Sequence, residues 1–147
     1  MKFSHNWLQT FFAEALPAPE ILAEKITFHS SEVEEIISLP KDSVLDVKVL
    51  PDKSAWLMSH RGVAKAVSAI LNIPLTKDPF FFKAETKESD NISIKLSTET
   101  CDFYGAALIS GVKVGPSPVW LKEALEAVGQ RSINNIVDAT NYVMFEL

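Results

Sequence analysis

The chain has 147 residues, 47% of them apolar and 22% charged, and a formal net charge of −5. That is enough apolar material to bury a core in one domain or in two small ones. Both halves share the acidity, with 7 basic against 9 acidic residues up to Leu75 and 7 against 10 beyond it, so no basic arm or stripe supports broad electrostatic binding of nucleic acid. The single cysteine, Cys101, excludes an intrachain disulfide, and without a neighbouring His or Cys it does not make a zinc site. A reducing, cytoplasmic setting is expected. No apolar run approaches the roughly 18 to 20 residues of a membrane span, and the start lacks the basic and apolar stretches of a signal peptide.

Phe3, Trp7, Leu8, Phe11 and Phe12 recur at helical spacing behind Ser4, a good N-cap, which predicts a short helix over 4–13 with its aromatic stripe in the core. Pro17 and Pro19 interrupt the chain, and a second helix is expected to start near Pro19. Ser31 to Leu39 reads as a strand, and Val44 to Leu50 as a clearer one, because Leu45, Val47 and Val49 alternate with Asp46 and Lys48. Only four residues, Pro40 to Ser43, lie between them. Val63, Ala66, Val67, Ile70 and Leu71 then give an apolar face to a helix that starts near Ser59 and is ended by the segment from Asn72 to Lys77. His60 and Arg61 fall in its first turn, where they could contact a phosphate; a capping, surface-polar turn is the favoured reading.

Pro79, Phe80, Phe81, Phe82 and a charged run suggest a linker, with the phenylalanines buried at a junction rather than forming a partner patch. Ile92, Ile94 and Leu96 alternate with polar residues as a half-buried strand, and Tyr104 to Val114 reads as a longer one. Ser117 as N-cap and Pro118 as first helical residue open a helix whose stripe is Trp120, Leu121, Ala124, Leu125 and Val128, and Gly129 closes it. A last helix follows the turn that holds Arg131. Its buried stripe is expected at Ile136, Thr140, Val143, Met144 and Leu147, with Asp138 and Asn141 on neighbouring faces.

The runs GPSPVWLKEAL and RSINNIVDATNYVMFEL resemble the beta subunit of bacterial phenylalanyl-tRNA synthetase, in the part leading into its editing domain. MKFSHNWLQTFF, LAEKITFHSSEVEEI and VLDVKVLPDKSAWLMSHRGVAKAVSAIL carry the resemblance over nearly the whole chain. The resemblance implies an α+β fold in two parts: a small winged-helix-like helical domain over 1–76, a linker over 77–90, and an incomplete mixed α/β piece of the editing domain over 91–147. Typical members insert an OB-fold tRNA-binding module between the strands joined here by Pro40 to Ser43, and four residues cannot hold one. The family's arginine before the tyrosine is replaced by Phe103. The family continues past this point with Gly-Gln-Pro and a histidine motif, so apolar faces that would meet later strands are expected to stay uncovered.

Catalytic templates are few. The three histidines are far apart, so no metal site is expected, and five scattered glycines form no phosphate loop, so ATP binding by this chain has no support and no cofactor is expected in it; the resemblance implies that ATP and magnesium are used by the family's catalytic subunit. The resemblance places Thr140 and Asn141 in the pocket that hydrolyses tyrosine wrongly attached to the phenylalanine tRNA, with Arg131 nearby. Read from the residues alone, Thr140 bonds back to its own helix and Asn141 braces a turn. Asp138 is expected to project away from Thr140, leaving no protein base beside it and no complete catalytic set. The expected partners are an alpha subunit, the remainder of the beta subunit and, weakly, the phenylalanine tRNA; no membrane partner is expected. A free-standing deacylase of mischarged tRNA and a nucleic-acid-binding or protein-interaction module are the alternatives.

Overall fold

The computed structural model describes residues 1–79, 92–102 and 104–147. The expectations for Phe80 to Phe82, for most of the linker and for Phe103 lie outside these. The fold is α+β. Its elements are β1 (Lys2–Ser4), α1 (His5–Gln9), α2 (Pro19–His29), β2 (Val33–Leu39), β3 (Asp42–Val47), α3 (Ser54–Leu57), α4 (His60–Leu71), α5 (Val119–Ala127) and α6 (Asn135–Glu146).

The sheet is antiparallel in the order β1-β3-β2, and Phe3 and Ile36 face Leu45 from either side. Pro40 and Lys41 make the whole connection between β2 and β3, since Leu39 pairs with Asp42. The register shifts once, between Val33 and Glu35, a bulge that breaks the regularity of an edge strand. Ser4 ends β1 and caps α1, its hydroxyl accepting from the Trp7 N–H at 2.9 Å. The helix is shorter than the 4–13 expected, ending at Gln9, yet Trp7, Leu8, Phe11 and Phe12 are all buried as read. They meet Leu22 and Ile26 of α2, Leu45 and Val47 of β3, and Val63 and Val67 of α4 in one core.

Helix α4 begins where expected: Ser59 is its N-cap, accepting from the Gly62 N–H at 3.1 Å, and Asn72 ends it in the left-handed region at φ 55°. Its first turn corrects the sequence reading. Arg61 forms a two-pronged pair with Asp78, at 2.6 and 2.8 Å, but His60 is fully buried rather than surface-polar. It sits inside because Phe3 and Trp7 surround its ring and main-chain groups satisfy both nitrogens. Gly62 allows this turn to close on α3, since a Cβ at that position would overlap the Trp56 carbonyl. Gly62→Ala should therefore cost about 3 kcal/mol, the upper end for overpacking because main chain is what must yield, read as a lowered urea midpoint.

Two further expectations fail. Residues 92–97 and 104–114 form no strand among the described residues. A half-buried alternation needs a ladder partner and a covered face, and among the described residues these segments have neither; Ile109 is 78% exposed. On α6, the stripe expected to be buried is the exposed one, with Val143 52% and Met144 60% exposed. The helix carries a second, competing face on which Tyr142 and Phe145 pack against the core, Glu146 accepts from the Trp7 indole, and Asp138 is buried against the turn before the helix. Period alone could not rank an aliphatic stripe below one that contains two aromatics and a carboxylate with fixed donors.

Candidate functional site

The site elements are α5, α6 and the turn between them. Helix α5 starts one residue later than read, because Pro118 occupies the cap and the Ser117 hydroxyl turns elsewhere. It ends as read. Gly129 is left-handed at φ 85°, and its N–H and that of Gln130 donate to Glu126 and Leu125 at 3.0 and 2.9 Å, the paired bonds of a Schellman end. Asn134 then caps α6, its Oδ1 accepting from the Ile136 and Val137 N–H groups, both at 3.0 Å. Asn135 clips the incoming chain with three bonds: its N–H to the Gly115 carbonyl, its Oδ1 from the Gly115 N–H, and its Nδ2 to the Lys113 carbonyl.

Asp138 is the hub of this arrangement and is fully buried. Its Oδ2 accepts from the hydroxyls of Ser117 at 2.5 Å and Ser132 at 2.6 Å, and its Oδ1 from the Ile133 N–H at 2.9 Å. The Ser117 hydroxyl foremost, then that of Ser132, holds the carboxyl below its usual range against the opposing effect of burial. A carboxylate so occupied is a poor base. Sequence reading missed its role, although Asn134 followed four residues later by an acid is a legible helix start.

Of the three predicted pocket residues, Arg131 is exposed on the turn, Thr140 is exposed on α6, and Asn141 is half-buried beside it. Among the described residues no hydrogen bond or ion pair joins Arg131 to either of the other two. The Thr140 hydroxyl donates to the Val137 carbonyl at 2.7 Å, the back-bond anticipated from its position in a helix. Its donor is thus committed, while its oxygen keeps accepting capacity toward solvent.

The opposite side of α6 is locked to α1 and α4 by a stack of three rings. Trp7 lies between His60, at 3.9 Å between centroids and 15° between planes, and Tyr142, at 4.3 Å and 10°. Its indole N–H donates to the Glu146 carboxylate. His60 Nε2 accepts from the Ser4 N–H at 3.2 Å, so its proton is on Nδ1, which donates to the Phe145 carbonyl at 2.8 Å. Burial lowers the His60 pKa to about 4. Burial raises that of Glu146, and raises that of Tyr142 with help from the Glu146 charge.

Beside this stack a groove of about 620 Å³ runs between the β2–β3 turn and α5, lined by Trp7, Thr10, Leu39, Lys41, Trp120 and Glu123 among others. Lys41 and Glu123 bridge it at 3.1 Å. None of Arg131, Thr140 and Asn141 lines it, so the groove and the predicted pocket are separate places. Among the described residues no three of His, Cys, Asp and Glu gather as metal ligands, and no helix is long and apolar enough to cross a membrane.

Residues 100–147 match the family model described as the B3/4 domain. The chain is 41% identical over 133 residues to the phenylalanine–tRNA ligase beta subunit of Dehalococcoides mccartyi (strain ATCC BAA-2266 / KCTC 15142 / 195), covering 80% of this chain and 16% of that one. It is 44% identical over 110 residues to the subunit of the same name from Syntrophus aciditrophicus (strain SB), covering 73% and 13%. With that of Rhodopirellula baltica (strain DSM 10527 / NCIMB 13988 / SH1) it is 35% identical over 149 residues, covering 99% and 21%. The chain thus spans about a fifth or less of the curated relatives it matches.

Proposed function

Because the chain is a relative of the phenylalanine–tRNA ligase beta subunits, we infer that it serves as a non-catalytic portion of such a subunit, supporting assembly and supplying one wall of a pocket that removes tyrosine from mischarged tRNA. The observation that carries this reading is the coincidence of the B3/4 match, over 100–147, with the one region where Arg131, Thr140 and Asn141 share two elements tied to each other. The reading divides the chain into a helix-and-strand unit at 1–76, a linker at 77–90 and the start of an editing unit at 91–147. Its partners would be an alpha subunit, the remainder of a beta subunit and the phenylalanine tRNA, in the cytoplasm. Ligation with ATP and magnesium would take place on the catalytic subunit.

The chemistry follows from what each side chain has left to offer. The Thr140 hydroxyl, its proton given to Val137, can accept from the phenol of a tyrosyl group. A site built to bond a hydroxyl separates substrates that differ only by that hydroxyl by roughly four to five powers of ten, which apolar packing cannot do. The Asn141 amide and the Arg131 guanidinium can donate to an ester carbonyl as a water attacks it and negative charge develops on its oxygen.

The test is release of tyrosine from tyrosylated phenylalanine tRNA. Alone, the chain should release none above background. In a chimaera where it replaces the matching residues of the Dehalococcoides mccartyi beta subunit, paired with that organism's alpha subunit, release should appear and should fall at least ~100-fold in Thr140→Val or Asn141→Ala, the loss expected when a polar contact made in the transition state is removed. Release by the isolated chain that either substitution abolishes would instead make it a free-standing deacylase. Binding of the tRNA by the isolated chain should be weak and salt-sensitive, since an acidic surface neutralises few phosphates. Tight duplex binding at physiological salt in a gel shift would favour the nucleic-acid-binding reading.

A further inference from the structure

We propose that Asp138 is the positioning residue of this pocket: its buried carboxylate clamps the Arg131 turn to α6, so that Arg131 and the Thr140–Asn141 pair keep one fixed relation. The inference builds on the pocket reading above but has its own observable. Arg131 stands on a turn that follows a completed helix end, and among the described residues it makes no hydrogen bond or ion pair of its own, so its direction depends on the residues beside it. The two residues after it, Ser132 and Ile133, both donate to Asp138, at 2.6 and 2.9 Å. Asp138 itself is bound into the first turn of α6, its N–H donating to the Asn134 carbonyl at 2.8 Å. Thr140 and Asn141 follow on the same rigid helix by two and three residues. Ser117, at the entry to α5, completes the clamp at 2.5 Å, so one carboxylate joins the chain before α5, the turn after it and α6.

Asp138 does not serve as the hydrolytic base, because one oxygen already accepts two hydroxyls and the other a main-chain N–H, and no face is open to a water. Its geometry also predicts a rescue. In Asp138→Asn the amide oxygen can still accept from the Ile133 N–H, and the two amide protons can reach the oxygens of Ser117 and Ser132, whose hydroxyls are free to turn. Alanine offers none of these bonds.

The test uses the full chain and nuclear magnetic resonance. In Asp138→Ala, exchange of the Ile133 amide should quicken at least ~10-fold and the order parameters of residues 131–133 should fall from about 0.85 toward 0.6, while the amides of Val63 and Val67 in α4 keep their protection. Asp138→Asn should restore the Ile133 protection to within ~3-fold of the parent chain, since a positional tether survives where charge does not. Unchanged exchange at Ile133 in Asp138→Ala, or no recovery in Asp138→Asn, overturns the proposal. If Asp138→Ala does not fold, Ser132→Ala combined with Ser117→Ala keeps the carboxylate and its Ile133 bond but removes the two hydroxyl donors, and the order parameters of residues 131–133 decide: a fall supports the tether, and unchanged values overturn it. In the chimaera, Asp138→Ala should lower the turnover number for tyrosine release while Asp138→Asn recovers it, and Arg131→Ala with Asp138→Ala should be no slower than Arg131→Ala alone. If Arg131→Ala and Thr140→Val leave tyrosine release untouched, the pocket reading fails, and the exchange result still decides whether Asp138 is the tether.

Discussion

Trp7→Ala should cost about 3 to 5 kcal/mol of unfolding free energy, the range for deleting a large aromatic from a packed interior. Trp7 is 3% exposed and is the central ring of a stack that joins α1, α4 and α6. Removing it leaves His60 and Tyr142 facing a void and strips the Glu146 carboxylate of its indole donor. Trp7→Phe separates the two effects. It keeps much of the ring packing but abolishes the N–H, so about 1 to 3 kcal/mol should be lost, chiefly from an acceptor left half-buried without its partner. Urea unfolding followed by circular dichroism measures both variants; a loss below about 1 kcal/mol in Trp7→Ala would mean that the stack adds little to the core.

The elements that were legible from the sequence are those with a local chemical cause. Ser4 and Ser59 cap α1 and α4, Pro19 opens α2, Asn72 and Gly129 end helices in the left-handed region, and the alternation around Leu45 and Val47 gives β3. What could not be read depends on partners distant in sequence. His60 looks like any polar residue in a first helical turn until Ser4 and Phe145, 56 and 85 residues away, supply its acceptor and donor needs. Asp138 is hidden for the same reason, because Ser117 is 21 residues from it. The segments 92–97 and 104–114 show the converse failure, where a sound local pattern has no ladder to join among the described residues. At the site, Thr140 takes the back-bond expected of any helical threonine. Its proposed role in recognising a phenol therefore comes from the family relation together with the acceptor capacity that remains, since its conformation would be the same without a ligand.

Lowering the pH from 6.5 to 4 should remove about 3 kcal/mol of stability through His60 alone. The ring is neutral in the fold, with its pKa lowered from 6.5 to about 4, so between those values the unfolded chain binds a proton that the folded chain refuses. Stability therefore rises with pH across this window and falls as acid is added, by about 1.4 kcal/mol for each unit of pKa difference. The structural reason is that a second ring proton would sit on Nε2, directly facing the Ser4 N–H, while the ring remains out of water. Stacking on Trp7 favours the cation, but such a contact is worth about 0.5 to 2 kcal/mol and does not offset desolvation. The three groups on α6 with shifted pKa values do not act alike. Glu146 has a raised pKa, so its protonation favours the folded state in acid and partly opposes His60; Asp138, lowered, adds its own loss as the pH falls through and below the ordinary carboxylate range; Tyr142 stays protonated throughout. Because Phe145 on α6 accepts the Nδ1 proton, the acid-labile ring is also a fastener of the helix that carries Thr140 and Asn141. Urea midpoints measured from pH 7 to pH 4 should fall steeply for the parent chain and weakly for His60→Gln, whose side chain cannot ionise. An equal fall in both would assign the acid sensitivity to the carboxylates and remove His60 from the explanation.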